Sequence, residues 1–247
     1  MTRSQLLKVF RWPSARPAAH DRKGRRAKAL TLFLLLASGL LLAYLFLSPR
    51  FYIFEIAVQG NEALAAEAIL KASGAEGYSI FFLDPRQVVE AVESLPDVAQ
   101  ARVRYRLPNH LIIEIMERQP YLRWQTNEGI YLVDSEGIVL SGSESDLSLT
   151  LKDLGGGSLR AGDRINPQIL EAAQIYSSLM PEVEEFLYLE GYGLGFIRDG
   201  VQIWLGMAQD APAKMALLEA LWGDLQGKEA KVIDLRFSEP YFRTSQE

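Results

Sequence analysis

The stretch VAQARVRYRLPNHLIIEIMERQP, residues 98–120, decides how the middle of this 247-residue chain folds. Over residues 100–107, small or apolar side chains alternate strictly with Gln and Arg, which predicts a strand with one buried face and one solvated face. Residues 108–110, Pro-Asn-His, are typical of a turn. The apolar run at 111–117 then supplies an antiparallel partner, so the stretch predicts a β-hairpin.

One strand and two helices are predicted upstream of this hairpin. Residues 51–58 form an apolar, β-branched run that ends at a turn, which predicts a strand. Residues 63–72 are rich in helix formers and stop at Gly74. Asp84 is suited to cap a second helix whose first residue is Pro85. Two helices on one face of a small sheet make a compact β-α-α-β-β module of the α+β class.

The region that follows the hairpin is rich in predicted strands. Residues 131–140 predict a second hairpin around an Asp-Ser-Glu-Gly turn. The other predicted elements are a helix between Pro167 and Pro181, strands over 185–189, 194–198 and 201–205, a helix over 212–226, and a strand over 231–237. We expect a mixed, mainly antiparallel sheet with two helices, and we expect the strand at 231–237 to end the regular structure.

An apolar stretch near the N-terminus determines where these modules work. No charged residue lies between Lys28 and Arg50. As a helix, residues 29–47 span about 28 Å, close to the hydrocarbon thickness of a bilayer. Residues 29–48 are therefore predicted to be an uncleaved transmembrane signal anchor. A buried core helix is the alternative, but it would rarely be apolar on every face. A cleaved signal peptide would have a shorter apolar core, followed by small residues.

The charge on either side of the anchor predicts its orientation. Residues 1–28 hold nine Lys or Arg against the single acid Asp21, whereas the whole chain has a net charge of −5. Basic residues beside a span stay in the cytoplasm. We therefore expect a cytoplasmic tail over 1–28 and an exported remainder. The basic tail could bind nucleic acid, but topology and attraction to anionic lipid account for it more simply.

The composition argues against an enzyme or a metal protein. The chain has no cysteine and two histidines, His20 and His110. The lack of cysteine excludes thiol catalysis and zinc sites built on Cys. With only two histidines, a zinc site built on clustered His is very unfavourable. Asp134 and Glu136 resemble the carboxylate pair of a glycosidase, but acids in a hairpin turn usually serve the turn itself. We expect no catalytic residues, no cofactor and no metal.

The pattern resembles a known family. Thirteen positions of the first hairpin are similar to the sequence pattern of the POTRA domain in that family. They are Val98, Ala101, Val103, Arg104, Leu107, Pro108, Asn109, Leu111, Ile113, Ile115, Glu117, Arg118 and Pro120. The hairpin at 131–140 and the run Val-Ile-Asp-Leu-Arg-Phe at 232–237 are similar to the β domain of the same family. The family is FtsQ/DivIB of bacterial cell division, and the resemblance implies a POTRA domain over 51–118 and a β domain over 119–247.

The resemblance also implies a function. FtsQ/DivIB-like proteins are non-enzymatic scaffolds of the inner-membrane division machinery, and they recruit FtsB/DivIC-like and FtsL-like partners through the last strand of the β domain. No small-molecule substrate or nucleic acid is implied. Two alternatives come from other classes of protein. One is a POTRA-bearing secretion or chaperone component that binds substrate strands at a sheet edge. The other is a membrane-anchored cell-wall hydrolase.

The C-terminal segment is the first candidate binding surface. If the last strand lies at a sheet edge, its open backbone groups can accept a strand from another chain. Aromatic rings after it could anchor a partner; alternatively, they pack inward on their own domain. The residues expected at this surface are Asp234, Leu235, Arg236, Phe237, Ser238, Tyr241 and Phe242.

An arginine stripe is the second candidate surface. Arg102, Arg104 and Arg106 lie on the solvated face of the first hairpin strand, in the acidic part of the chain. They are suited to an acidic partner. The alternative is a solvated strand face on which arginine pairs with Glu114 across the ladder.

Overall fold

A computed structural model of the chain describes residues 21–142, 146–225, 230–237 and 241–244. The chain forms two compact units, residues 1–52 and 53–247. The boundary predicted near residue 118, between two exported domains, lies inside the second unit and stays a prediction.

The described part of the first unit, residues 21–52, contains one long helix. Helix α1 covers Asp21–Leu47, and the most apolar 18-residue window within Gly24–Leu47 has a mean hydropathy of 2.4. Length and composition are those of a helix that can cross a bilayer once. A single 3₁₀ turn follows at Pro49–Phe51, where the Ser48 hydroxyl accepts a hydrogen bond from the Arg50 N–H at 3.4 Å. The strand predicted from residue 51 is therefore wrong at its start, because Pro49 favours a helical turn there.

The second unit begins with a three-stranded sheet covered by two helices. Its elements are β1 (Glu55–Gln59), α2 (Ala66–Ser73), α3 (Pro85–Glu93), β2 (Val98–Arg106) and β3 (His110–Glu117). The strand order is β1-β3-β2, with β3 parallel to β1 and antiparallel to β2. The predicted β-α-α-β-β module is confirmed.

Local signals set the ends of these helices. Helix α2 stops at Gly74, which adopts a left-handed conformation with φ 56°. The Asp84 carboxylate caps α3 by accepting a hydrogen bond from the Arg86 N–H at 2.9 Å. The helices and the sheet enclose a core formed by one apolar face of each element, with Ile69, Val88, Val92, Leu111 and Ile113 among its buried residues.

An eight-stranded mixed sheet forms the rest of the second unit. Its elements are β4 (Pro120–Gln125), β5 (Ile130–Asp134), β6 (Thr150–Asp153), α4 (Pro167–Leu179), β7 (Glu185–Leu189), β8 (Gly193–Arg198), β9 (Val201–Gly206), α5 (Ala211–Leu225), β10 (Ala230–Asp234) and β11 (Tyr241–Thr244). The strand order is β11-β10-β9-β8-β7-β6-β4-β5. Parallel pairs join β4 to β6, β6 to β7 and β9 to β10. The α+β class and the mixed sheet with two helices are thus confirmed.

Three details of this sheet differ from the prediction. Strands β4 and β6 were not predicted. The residues Leu122 to Gln125 of β4 do alternate between apolar and polar, over only four residues, whereas Leu151 is the one apolar residue of β6. Strand β10 ends at Asp234 instead of residue 237. A further strand, β11, follows and pairs antiparallel with β10, so the prediction that regular structure ends at 231–237 is wrong. Leu235, the residue after β10, is buried, and its N–H donates to the Trp204 carbonyl at 2.8 Å.

Candidate protein-interaction site

Strand β11 forms one edge of the large sheet. It pairs on one side with β10, with Tyr241 opposite Asp234 and Phe242 opposite Ile233. Within the described part of the chain, no strand pairs with its other side. Successive side chains of a strand point to opposite faces, so Tyr241 and Phe242 flank this open edge on both faces of the sheet. Both rings are exposed.

A charged pair holds the end of β10. The Arg236 guanidinium donates to both carboxylate oxygens of Asp234, with Nε 2.9 Å from Oδ1 and Nη2 2.6 Å from Oδ2. The Arg236 N–H adds a third hydrogen bond to Oδ1 at 3.0 Å. Burial acts to raise the pKa of Asp234, but the hydrogen bonds from Arg236 outweigh it and leave this pKa below its ordinary value. Asp234 is therefore a buried, ionised and paired group.

The same arginine belongs to a stack of aromatic rings. Its guanidinium carbon lies 3.8 Å from the centre of the Tyr192 ring and 5.1 Å from that of Phe237. Tyr192 in turn lies 5.1 Å from the buried ring of Trp204. Cation–π contacts of this kind favour one arrangement of the rings. The stack runs from the core to the surface, where it ends at Phe237. This residue is 63% exposed.

A glycine makes room for this arginine. Gly206, at the end of β9, has φ +76°, and a Cβ built on it would lie 3.2 Å from Cγ of Arg236. A larger residue would therefore be strained in its backbone and would press on the Arg236 side chain. Gly206, Arg236 and Phe237 also line an open pocket of about 400 Å³ beside the stack, together with Lys214.

Lys214 lines this pocket and is hydrogen-bonded to the backbone at the end of β9. Its ammonium donates to the backbone carbonyls of Leu205 at 2.7 Å and Met207 at 3.4 Å. Burial lowers the pKa of Lys214, and the nearby Asp210 and Asp234 act against that effect. The lysine therefore stabilises the end of β9 and contributes positive charge beside Asp234.

The predicted interaction residues thus fall into two groups. Asp234, Leu235 and Arg236 are engaged within the protein, and Leu235 is only 1% exposed. Phe237, Tyr241 and Phe242 are exposed. Ser238 lies outside the described residues. A contribution of this segment to binding stays a prediction, and its exposed members are the three aromatic residues.

The arginine stripe lies along β2, which is an edge strand of the small sheet. Arg104 forms a salt bridge with Glu114 at 3.2 Å. Arg102 and Arg106 are exposed. The predicted pairing with Glu114 is therefore present for one of the three arginines, and the role of the stripe as a second surface stays a prediction.

Glu117 and Arg118 connect structural elements in a way that was not predicted. The Glu117 carboxylate accepts hydrogen bonds from the backbone N–H groups of residues 62, 63 and 64 at 2.8–3.0 Å. Arg118 donates through Nη1 to Asp134 at 2.6 Å and Glu136 at 2.9 Å. The two acids of the hairpin turn are thus bound to one guanidinium, and Asp134 also accepts turn N–H groups.

No metal centre is formed in the described ranges. Groups of three or more His, Asp or Glu side chains with suitable geometry do not occur among residues 21–142, 146–225, 230–237 and 241–244.

Comparison with known proteins agrees with this architecture. Residues 51–118 match the family model described as POTRA domain, FtsQ-type. Residues 122–236 match the model described as cell division protein FtsQ/DivIB, C-terminal. Together the two matches cover more than half of the chain. The second match ends before Phe237 and β11.

Individual relatives carry the same description. The chain is 28% identical to cell division protein FtsQ of Chloroflexus aurantiacus over 211 residues, which are 82% of this chain and 77% of the relative. It is 26% identical to FtsQ of Chloroflexus aggregans over 250 residues, 95% of this chain and 91% of the relative. It is also 27% identical to cell division protein DivIB of Clostridium tetani over 125 residues, 50% of this chain and 47% of the relative. With both family models matched in order along an α+β chain, the protein belongs to the FtsQ/DivIB family of cell division proteins.

Proposed function

We propose that this protein is a non-enzymatic scaffold that gathers FtsB/DivIC-like and FtsL-like proteins at the division site. Helix α1 would hold it in the cytoplasmic membrane as a single-pass protein, with the basic tail inside and residues 53–247 outside. Membership of the family and the excess of basic residues over 1–28 support this arrangement. Tethering in a membrane plane raises the effective concentration of partners without any bond being made or broken.

The open edge of β11 is the observation that carries the proposal. Within the described ranges no strand pairs with its outer backbone groups, so they are available to a partner strand, which would extend the sheet beyond Tyr241–Thr244. Main-chain hydrogen bonds supply affinity in this mode, and side chains on either face supply specificity. Tyr241 and Phe242 lie on β11 itself, and Phe237 lies shortly before it, so all three rings can anchor such a strand.

The buried pair behind the edge has a supporting role in this proposal. Asp234 and Arg236 hold the end of β10, which is the strand that carries β11. The Arg236 guanidinium also lies against the rings of Tyr192 and Phe237 in the aromatic stack. A substitution of Arg236 would therefore disturb the protein itself, and the exposed aromatic residues are the better probes of binding.

Binding assays with the full chain test the proposal. Wild type, Phe237→Glu and Tyr241→Glu would be placed in lipid nanodiscs and titrated with the exported segments of the FtsB/DivIC-like and FtsL-like proteins of the same organism. We expect saturable binding by wild type. Because aromatic anchors typically contribute 2 kcal/mol or more, each substitution should weaken it by at least about tenfold.

Ile130→Glu is the matched control. Ile130 is 47% exposed, close to the value for Phe242, but it lies on β5, at the opposite edge of the large sheet. Its substitution should leave affinity unchanged. Equal affinity of Phe237→Glu, Tyr241→Glu and wild type would remove the β11 edge from the proposal, and failure of wild type to bind either partner would remove the recruitment function.

Hydrogen exchange of the complex tests the mode of binding. Addition of a strand should slow the exchange of backbone amides over Tyr241–Thr244. Protection confined to β5, the strand at the other edge of the sheet, would contradict strand addition at β11.

A further inference from the structure

Three chain segments meet at one end of the small sheet. The register places Glu55, at the start of β1, opposite His110, at the start of β3. It also places Arg106, at the end of β2, opposite the same His110. The turn at 107–109 and the residues just before β1 therefore lie at this end.

The loop before α3 is held at the same end. The Ile53 N–H donates to the Tyr78 carbonyl at 2.9 Å, and the Gly77 N–H donates to the Ile53 carbonyl at 2.8 Å. The Tyr105 hydroxyl, near the end of β2, donates to the Leu83 carbonyl at 2.9 Å. These bonds fix the loop against both the start of β1 and the end of β2.

Each of these three segments exposes a large apolar side chain. Phe54 is 62% exposed, Tyr78 is 57% exposed and Leu107 is 68% exposed. Isolated exposed apolar residues are ordinary, whereas three of them at one end of a small sheet make that end a candidate interaction surface. We name Phe54, Tyr78 and Leu107 together the apolar end.

Arginines accompany the apolar end. Arg86, at the start of α3, and Arg106 are both exposed. Two of the nearby acids are engaged, since Glu55 lies 2.9 Å from Nδ1 of His110 and Asp84 caps α3, while Glu76 in the same loop is exposed. An apolar surface bordered by arginine is suited to the headgroup region of a membrane that contains anionic lipid.

The chain itself ties the apolar end to a membrane. Only residues 48–52 separate the last residue of α1 from Ile53. A segment of that length spans at most about 20 Å when fully extended. The end of the sheet at which Ile53 enters therefore stays close to the bilayer surface, whichever side of the membrane it occupies.

We infer that the apolar end rests in the membrane interface, with Phe54, Tyr78 and Leu107 at the boundary between headgroups and acyl chains. Tyrosine is enriched at this depth because its ring is apolar and its hydroxyl is polar. The contact would orient the small sheet with the starts of β1 and β3 towards the lipid. It does not depend on the identity of any protein partner.

Fluorescence quenching in the full chain tests this contact. The chain has no cysteine, so Tyr78→Cys and Leu107→Cys each give one position for a polarity-sensitive fluorophore. The labelled proteins would be placed in nanodiscs of phosphatidylethanolamine and phosphatidylglycerol, in which some lipid carries a nitroxide near the headgroup. We expect quenching and a blue shift at both positions. Met116→Cys, near the other end of β3, should show neither.

Variants of the neighbouring residues test whether the apolar end causes the quenching. With the fluorophore at position 78, Phe54→Asp with Leu107→Asp should abolish it, whereas Met116→Asp with Ile130→Asp, two exposed positions elsewhere, should preserve it. Absence of quenching at 78 and 107, or equal quenching at 116, would overturn the inference. In the first case the apolar end would be left for a protein partner. The partner-binding assays above are unaffected by either result.

Discussion

At the scale of single residues, Asp234 and Arg236 depend on each other. Asp234 is buried and ionised, and its charge is balanced by the guanidinium of Arg236. Removal of one member of such a pair leaves an uncompensated buried charge, which is far more costly than removal of both. This dependence leads to a prediction about stability that is separate from binding.

We expect Arg236→Met to lower the free energy of unfolding by about 3 kcal/mol, because it leaves the Asp234 carboxylate without its partner. Urea denaturation of the full chain measures this change. The double substitution Asp234→Asn with Arg236→Met should recover much of the loss. If the double variant were as unstable as the single one, the pair would not be the source of the effect.

The carboxyl group of Glu117 makes the stability of the fold depend on pH. Burial acts to raise the pKa of Glu117, but three backbone N–H groups at residues 62–64 outweigh it and lower this pKa from its ordinary value of 4.5. A carboxyl whose pKa is lower in the folded state stabilises the fold above its unfolded pKa. That contribution is lost as the pH falls through the folded pKa.

Glu117→Gln should therefore be less stable than wild type at neutral pH, and the difference should shrink as the pH falls below 4.5. Denaturation at a series of pH values measures both free energies of unfolding. Glu76→Gln, at an exposed position, is the control and should change little. A difference between Glu117→Gln and wild type that did not vary with pH would contradict the assignment.

At the scale of elements, the end of β9 requires glycine. Gly206 combines φ +76° with a close approach of the Arg236 side chain. A residue with a Cβ at positive φ typically costs 1–3 kcal/mol. The arrangement of β9, β10 and the ring stack therefore rests on one residue without a side chain.

Gly206→Ala should lower the free energy of unfolding by about 1–2 kcal/mol. Gly223→Ala is a matched control of opposite sign, because Gly223 lies in α5 and a Cβ added to it would have nothing within 4 Å, and alanine favours a helix by up to about 1 kcal/mol. Thermal or urea denaturation of both variants measures the effect. Equal stability of Gly206→Ala and wild type would show that the backbone there tolerates a side chain.

At the scale of the whole molecule, the orientation in the membrane is open to direct test. The basic tail predicts that residues before α1 are cytoplasmic and that residues 53–247 are outside. In right-side-out membrane vesicles, a membrane-impermeant maleimide should label Met116→Cys but not Ser4→Cys. Inverted vesicles should give the reverse. Labelling of Ser4→Cys in right-side-out vesicles would contradict the orientation.

The sequence by itself determined the features that arise from neighbouring residues. The apolar run at 29–47 predicted the helix, the alternation at 100–107 predicted β2, and Asp84 predicted the start of α3. Each signal is complete within about one element, because helix periodicity, strand alternation and capping are local. These local signals gave the β-α-α-β-β succession of elements along the chain. The rule that helices cover one face of a sheet then gave the layered α+β module.

The tertiary structure decided which segments far apart in the chain meet. The parallel partners of β6, the pairing of β11 with β10, and the contact of Arg118 with Asp134 all join residues whose own sequences carry no sign of each other. Which residues of the C-terminal segment are buried was decided in the same way, since Tyr192 and Gly206 lie against Arg236 and Trp204 packs on Tyr192. Pairing and burial depend on the summed packing of the whole unit, and that sum is not contained in any single stretch of sequence.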